Sequence, residues 1–289
     1  MVDVSVVIPS YKPQEYLWDC LDSFWNQTLD RNRFELVLIL NGCKEPYHTN
    51  IINYKKQHPQ LNIQYIQLDE GGVSNARNVG IDRSKGCYLC FVDDDDYVSP
   101  TYLEDMLSIV EEKCWPISNV IAFRDGTNET IPYSISSRFQ NIKTKTKVKI
   151  MSSRGFMSTP WGKLIRKSDI GNRRFDKRFV TGEDALFVFS VSNVVKYLKP
   201  SAERAIYFRR YREGSAITSE ESLYSQLQNT IRLDKAYGRC FLEKPLSYSF
   251  LFFLTRLLGG FKTICAKKKL KRKMLIKVDE KNNADNVKR

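Results

Sequence analysis

At 289 residues, 42% of them hydrophobic, the chain can bury a core of ordinary size, which excludes a disordered protein. Ten prolines and fourteen glycines stand scattered, no segment repeats at a fixed period and no low-complexity linker divides the chain, so a repeat array is excluded. The formal charge of +13 is uneven: residues 261–289 hold 11 Lys or Arg and 3 Asp or Glu, so the basic character belongs mainly to the tail.

Val4 to Ile8 is a β-branched apolar run closed by Pro9, which predicts a buried parallel strand leading into a loop. Gln14 to Leu29 then places Tyr16, Leu17, Cys20, Leu21, Phe24 and Trp25 at helical spacing. Phe34 to Leu40 predicts a second strand closed by Asn41-Gly42, followed by a weaker helical stretch to about His58. Ile63 to Leu68 reads as a third strand, Val73 to Asp82 as a helix opened by Gly71-Gly72, and Tyr88 to Val92 as a fourth strand ending on four aspartates. Leu103 to Val110 reads as a helix, Thr127 to Val148 leans toward β structure, and Glu183 to Val195 returns to apolar helical spacing. Alternating strands and helices predict an α/β fold, a mostly parallel sheet flanked by helices, with ligands beyond the carboxyl ends of the strands.

Seven cysteines at irregular spacing, with no signal peptide before them, point to a reducing, cytoplasmic compartment. Cys87 and Cys90 form a C-x-x-C in an apolar run, where buried packing is the expectation. His48 and His58 lie in or near an ordinary helix, which argues against a histidine base or a zinc site. Neither a P-loop nor a G-x-S-x-G elbow is present, so P-loop kinase and serine hydrolase readings have no footing.

Four adjacent carboxylates, Asp93, Asp94, Asp95 and Asp96, repel one another, so at the end of a buried strand they need a cation or a set of hydrogen-bond donors. Hard oxygens suit Mg2+ or Mn2+ bridging to a substrate diphosphate, whereas an isolated run of this kind would read as a solvated helix cap. Upstream, Gly71-Gly72 frees the first amides of a helix for an anion, and Arg77 on that helix is able to reach phosphate, a base edge or one of the aspartates.

The sequence G-V-S-N-A-R-N-V-G-I from Gly72, a turn, and then F-V-D-D-D-D-Y-V from Phe91 resemble inverting glycosyltransferases of family 2, which have the GT-A fold. The resemblance includes Val4 to Tyr11 as first strand and nucleotide loop, Trp161 to Ile165 as acceptor-side segment, Gly182 to Phe187 as the E-D motif and Arg210 to Thr218 as closing loop. It implies a nucleotide-sugar donor, contacted by Pro9, Tyr11, Asn41, Arg77, Asp93 and Asp94, with Arg210, Arg212 and Ser215 folding over the diphosphate. It further implies a Mn2+ or Mg2+ cofactor on Asp95, Asp184 as general base, and Trp161, Lys163 and Glu183 at the pocket of a glycan or glycolipid acceptor. Where such enzymes commonly have D-D-G-S, this chain has Leu40-Asn41-Gly42-Cys43, so an acidic uracil contact is absent and Asn41 is expected to supply a hydrogen bond instead. UDP is the first choice of nucleotide, with GDP and dTDP open.

The catalytic domain is expected over residues 1–219 and a helical basic extension over 220–289. Phe250 to Leu258 is apolar but interrupted by Arg256, short of the ~20 residues a bilayer crossing needs. With the basic run Lys267 to Lys273 it suggests peripheral docking on the anionic inner face of a membrane, and no nucleic-acid partner is expected. The rival readings are a sugar-nucleotide-forming nucleotidyltransferase, disfavoured because Pro9 to Pro13 contains no glycine, and a non-catalytic basic membrane- or nucleic-acid-binding protein.

Overall fold

The computed structural model describes residues 2–127, 129–212 and 222–260. The chain divides into two compact units, Met1–Thr218 and Ser219–Arg289.

The first unit opens with β1 (Val4–Ser10), α1 (Tyr16–Trp25), β2 (Phe34–Asn41), α2 (Tyr47–Gln57), β3 (Ile63–Leu68), α3 (Val73–Arg83) and β4 (Tyr88–Phe91). These four strands pair in parallel, and β10 (Ile165–Arg166) adds an antiparallel edge, giving the order β10-β4-β1-β2-β3. Every residue of β1 and β2 is buried, as parallel strands covered on both faces must be. The one carboxylate among them, Glu35, accepts from the Ser5 hydroxyl and the Lys85 amide, both at 2.6 Å.

Pro9 does not end β1, contrary to the sequence reading. Val92 N–H donates to Val7 C=O, so residues 5, 7 and 9 face β4, where the ladder stops at Val7 and Phe91. The missing N–H of Pro9 therefore points where no partner waits, and pairing with β2 continues to Ser10. Cys90 is buried, but Cys87, ahead of the strand, is exposed, so buried packing holds for only one of the two.

The rest of this unit adds β5 (Tyr97–Val98), α4 (Tyr102–Ser108), β6 (Cys114–Ile117), β7 (Asn119–Arg124), β8 (Thr130–Ile131), α5 (Ser134–Gln140) and β9 (Val148–Lys149), then α6 (Lys167–Ile170), α7 (Glu183–Val191), β11 (Tyr197–Pro200) and β12 (Ile206–Tyr211). They build two small sheets, β6-β11-β9 and β5-β12-β7-β8. The expectation of β structure across Thr127 to Val148 holds only at its ends. Between them α5 buries Ile135 and Phe139, four apart, so tertiary packing outweighs local β preference there.

In the second unit, α8 (Leu223–Glu243) starts at Ser222, whose hydroxyl accepts from the Ser225 amide. Residues 250–260 are also helical, and Phe253 stacks on Phe241 with centroids 4.4 Å apart. No helix among the described residues is long and apolar enough to cross a membrane. The basic run Lys267 to Lys273 lies outside the described residues.

Helix α3 lies close on β1 and β2 because Gly80 carries no side chain; a Cβ there would meet Val7 Cγ1 at 2.3 Å and Ile39 Cδ1 at 3.1 Å. Gly80→Ala should therefore destabilise the chain by about 1–3 kcal/mol in urea unfolding, although alanine is the better helix former. An unchanged midpoint would mean that the layers are looser than described.

Candidate active site

Asn41, 2% exposed at the end of β2, joins three loops of the carboxyl rim. Its amide nitrogen donates to Ser10 C=O at 2.6 Å and its oxygen accepts from Gly72 N–H at 2.8 Å. Both polar atoms are thus engaged by backbone, which corrects the expectation of a bond to the base. Pro9, also expected to contact nucleotide, is a buried strand residue. Tyr11 stands 54% exposed with its ring against Gly42, where φ is +86° and a Cβ would sit 2.8 Å from the ring. It offers the rim an aromatic face, with the Lys12 ammonium 5.4 Å from its centroid.

The four aspartates form a turn between β4 and β5, and each has its own donor. Arg77 Nη2 donates to Asp93 at 2.9 Å, the Ser10 hydroxyl to Asp94 at 2.6 Å, and Arg212 to one oxygen of Asp95 through two nitrogens at 2.9 and 2.6 Å. Asp96 is buried and accepts from the Tyr207 hydroxyl at 2.6 Å and the Arg210 amide at 2.7 Å. Burial pushes the Asp94 carboxyl up to about 7, against the Ser10 hydrogen bond. Burial and the Asp93 charge also raise Asp95, while Arg212 pulls it down.

Arg77 is the hub of this rim. Only 3% exposed, it donates through Nη1 to Asp184 at 2.6 Å and through Nη2 to Asp93, with Glu183 3.8 Å away. Burial opposes its charge, but Asp184 and Asp93 more than offset that and hold it protonated. Its guanidinium therefore braces carboxylates instead of reaching outward to a phosphate or a base. The neighbouring Asn78 exchanges two hydrogen bonds with the backbone of Phe175, at 2.9 and 2.7 Å, and the Phe175 ring stacks on Phe187 of α7 at 3.8 Å. One turn of α3 thus fixes the first turn of α7.

Asp184 sits in that first turn, after Gly182 at φ +89°, a left-handed conformation that glycine takes without strain. Burial raises the Asp184 carboxyl above the usual aspartate range and Arg77 opposes the rise. Glu183 is pushed up to about 7, first by burial and then by Asp184. A carboxylate so placed can accept a proton near neutral pH. Lys163, expected at an acceptor pocket, is instead buried, and its ammonium donates to the carbonyls of Thr159 and Trp161. Trp161 is buried too, stacked on Tyr207 with centroids 4.8 Å apart.

Arg210 and Arg212 leave β12 differently. Arg210 is held by Asp19 at 2.6 Å, Asp125 at 2.8 Å and the Asp95 carbonyl at 2.8 Å, beside a cleft of about 640 Å³ that includes Asp22, Tyr97 and Phe123. Arg212, on Asp95 and 4.2 Å from the Tyr16 centroid, is a second guanidinium besides Arg77 at the carboxylate rim. Ser215 lies outside the described residues.

Hard carboxylate oxygens of Asp93, Asp94 and Asp95 at one strand end are of the kind that Mg2+ or Mn2+ takes. Among the described residues no cluster of three or more His, Cys, Asp or Glu side chains forms a closed cage. An ion held by one or two carboxylates and completed by substrate phosphates needs no such cage, so the donor set fits.

Residues 5–173 match the family described as Glycosyl transferase family 2. The chain belongs to that family. It is 28% identical over 217 residues to the minor teichoic acid biosynthesis protein GgaB of Bacillus subtilis strain 168, covering 74% of this chain and 24% of that protein. It is 23% identical over 234 residues to the poly(ribitol-phosphate) beta-N-acetylglucosaminyltransferase TarS of Staphylococcus aureus strain Mu50, covering 79% of this chain and 40% of that one. The chain thus spans less than half the length of either relative. The crystal structure of S. aureus TarS residues 1–349 with UDP-GlcNAc superposes with a TM-score of 0.67 at 21% identity, covering 82% of this chain and 66% of that one. The family 2 chain has the GT-A fold, as its sequence led us to expect.

Sequence reasoning missed Asn78 and Tyr207 as parts of this rim. The alternation Tyr207-Phe208-Arg209-Arg210-Tyr211 was a strand signal, but nothing in it said which face meets the aspartates.

Arg77→Met would leave two carboxylates without their cation. Unfolding in urea at pH 7 should show a loss of about 3 kcal/mol, the low end for breaking a buried pair because Asp93 and Asp184 keep some solvent. In that variant the Asp184 carboxyl, raised by burial, loses the opposing Arg77 charge, so its folded-state pKa lies above its unfolded value, stability returns as pH falls through it and the deficit should shrink toward pH 5. A deficit independent of pH would place the damage in packing alone.

Proposed function

We propose that the chain transfers a sugar, with inversion, from a nucleotide-sugar donor, a UDP-sugar by first choice, to a hydroxyl of a glycan or glycolipid acceptor. The observation that carries this reading is the single buried guanidinium of Arg77 holding Asp93 on one side and Asp184 on the other. Inversion by one displacement needs a base at the acceptor hydroxyl and charge neutralisation at the departing diphosphate, roles that this reading gives to Asp184 and to Arg212 with a cation at Asp95.

In this reading Asp184 takes the acceptor proton, with Arg77 fixing its orientation and Glu183 beside it. Asp93 meets the nucleotide ribose, the exposed face of Tyr11 receives the base, and Arg212 is within reach of the diphosphate by letting go of Asp95. Mg2+ or Mn2+ held by Asp95 would supply neutralisation of charge on the leaving diphosphate when bound. The names of the relatives, one in teichoic acid biosynthesis and one a beta-N-acetylglucosaminyltransferase on poly(ribitol-phosphate), support a role in building surface polymers. For the C-terminal unit we infer peripheral docking on an anionic membrane surface, a reading supported by exposed Leu246, Phe250, Leu251 and Leu258.

Asp184→Asn should retain donor affinity and lower turnover by a factor on the order of 10² to 10⁴. In the unmutated enzyme kcat/KM should fall as pH drops through the Asp184 pKa, since only the carboxylate accepts a proton; this acid limb should lie above the ordinary aspartate range, because burial raises that pKa. Near-native turnover of the variant across a panel of UDP-sugars would move the base elsewhere.

Asp95→Asn withdraws a ligand charge, so titration calorimetry with a UDP-sugar should show Mn2+-dependent binding in the parent and little difference with or without Mn2+ in the variant. Equal Mn2+ dependence in both would defeat the metal assignment.

A further inference from the structure

Strand β12 alternates between two environments. Phe208 and Arg210 face one way, Phe208 stacked on Tyr97 at 4.6 Å and Arg210 held by Asp19 and Asp125. Tyr207, Arg209 and Tyr211 face the other, toward Tyr133 and Trp161. There the Arg209 guanidinium carbon lies 5.0 Å from the Tyr133 centroid, 5.7 Å from Trp161 and 4.8 Å from Tyr211. Its side-chain hydrogen bonds go to two phenols, from Nη1 to the Tyr211 hydroxyl at 3.1 Å and to the Tyr133 hydroxyl, and among the described residues no carboxylate forms an ion pair with it. None of its nitrogens is both buried and unpartnered, so the remaining N–H groups open to solvent.

Every other arginine of β12 and its end is neutralised by an aspartate. Arg209 is instead stiffened by three aromatic rings and left with donors to spare, which is how a protein presents a planar fork to an oxyanion. The cluster lies beside the reacting groups. Tyr207 donates to Asp96 and its oxygen lies 3.3 Å from Asp93 N, Trp161 bridges to Phe91 at the end of β4, and the nearby Lys163 charge is felt at Asp184.

We propose that Arg209, framed by Tyr133 and Tyr211, is an acceptor-specificity residue that binds a phosphodiester of an anionic polyol-phosphate acceptor while the rings pack against its carbon chain. The proposal rests on the sugar-transfer reading for its place in the reaction, and the anion-binding step can be measured without transfer.

Calorimetry on the full chain with a synthetic glycerol-phosphate oligomer, and with an uncharged oligosaccharide of equal length, reads that step directly. The oligomer should bind the parent, weaken about tenfold or more in Arg209→Gln, as loss of a charge-assisted hydrogen bond implies, and recover in part in Arg209→Lys, which keeps the charge but not the fork. UDP-sugar affinity should stay within about twofold in both variants, which also verifies their folding. Equal oligomer affinity in parent and Arg209→Gln, or no oligomer binding by the parent, would overturn the proposal. A matching loss of UDP-sugar affinity would overturn it too, by assigning Arg209 to the donor diphosphate. Failure of the parent to bind any nucleotide-sugar would count against the transferase reading alone.

Discussion

Four carboxylates in sequence, crowded at the end of a buried strand, set the terms for the architecture around them. Left alone, neighbouring carboxylates in a low-dielectric setting would take up protons or pull the turn into solvent. Here each is met by its own donor, and the donors come from three elements: α3 for Asp93, β1 for Asp94, and β12 with the residue after it for both Asp95 and Asp96. The repulsion is thereby converted into a set of long-range ties, with donors 16 to 117 residues away in the chain.

The tie through Asp96 is structural. It is the most deeply buried of the four, and its two donors belong to β12, which lies in a different sheet from β4. Tyr207 carries the connection onward by stacking on Trp161. The small sheet β5-β12-β7-β8 is thus held to the end of the large sheet through one carboxylate and two aromatic rings. The remaining three aspartates are freer to serve chemistry because the fourth fixes the turn.

Much of this was legible in the sequence, and the parts that were not share a cause. β1 to β4 and their helices announce themselves because a buried parallel strand needs an unbroken apolar run and a covering helix needs an apolar stripe, both local properties. Pro9 misled because its harmlessness depends on where the neighbouring ladder stops, which is a property of another strand. Residues 127–148 misled because α5 is fixed by what Ile135 and Phe139 pack against. The carboxylates of the site were visible as a run and as an E-D pair, whereas the engagement of Asn41, the burial of Lys163 and the open fork of Arg209 depend on atoms distant in sequence.

Arg77 bears on how such a site can change over evolutionary time. Because one buried guanidinium serves carboxylates in two separate motifs, a substitution at either end alters the electrostatic surroundings of the other. The two motifs are therefore not independent modules. A lineage that changes the surroundings of Asp93 meets epistasis at Asp184. Diversification is channelled toward positions outside the network, and the pair of motifs is inherited as a block.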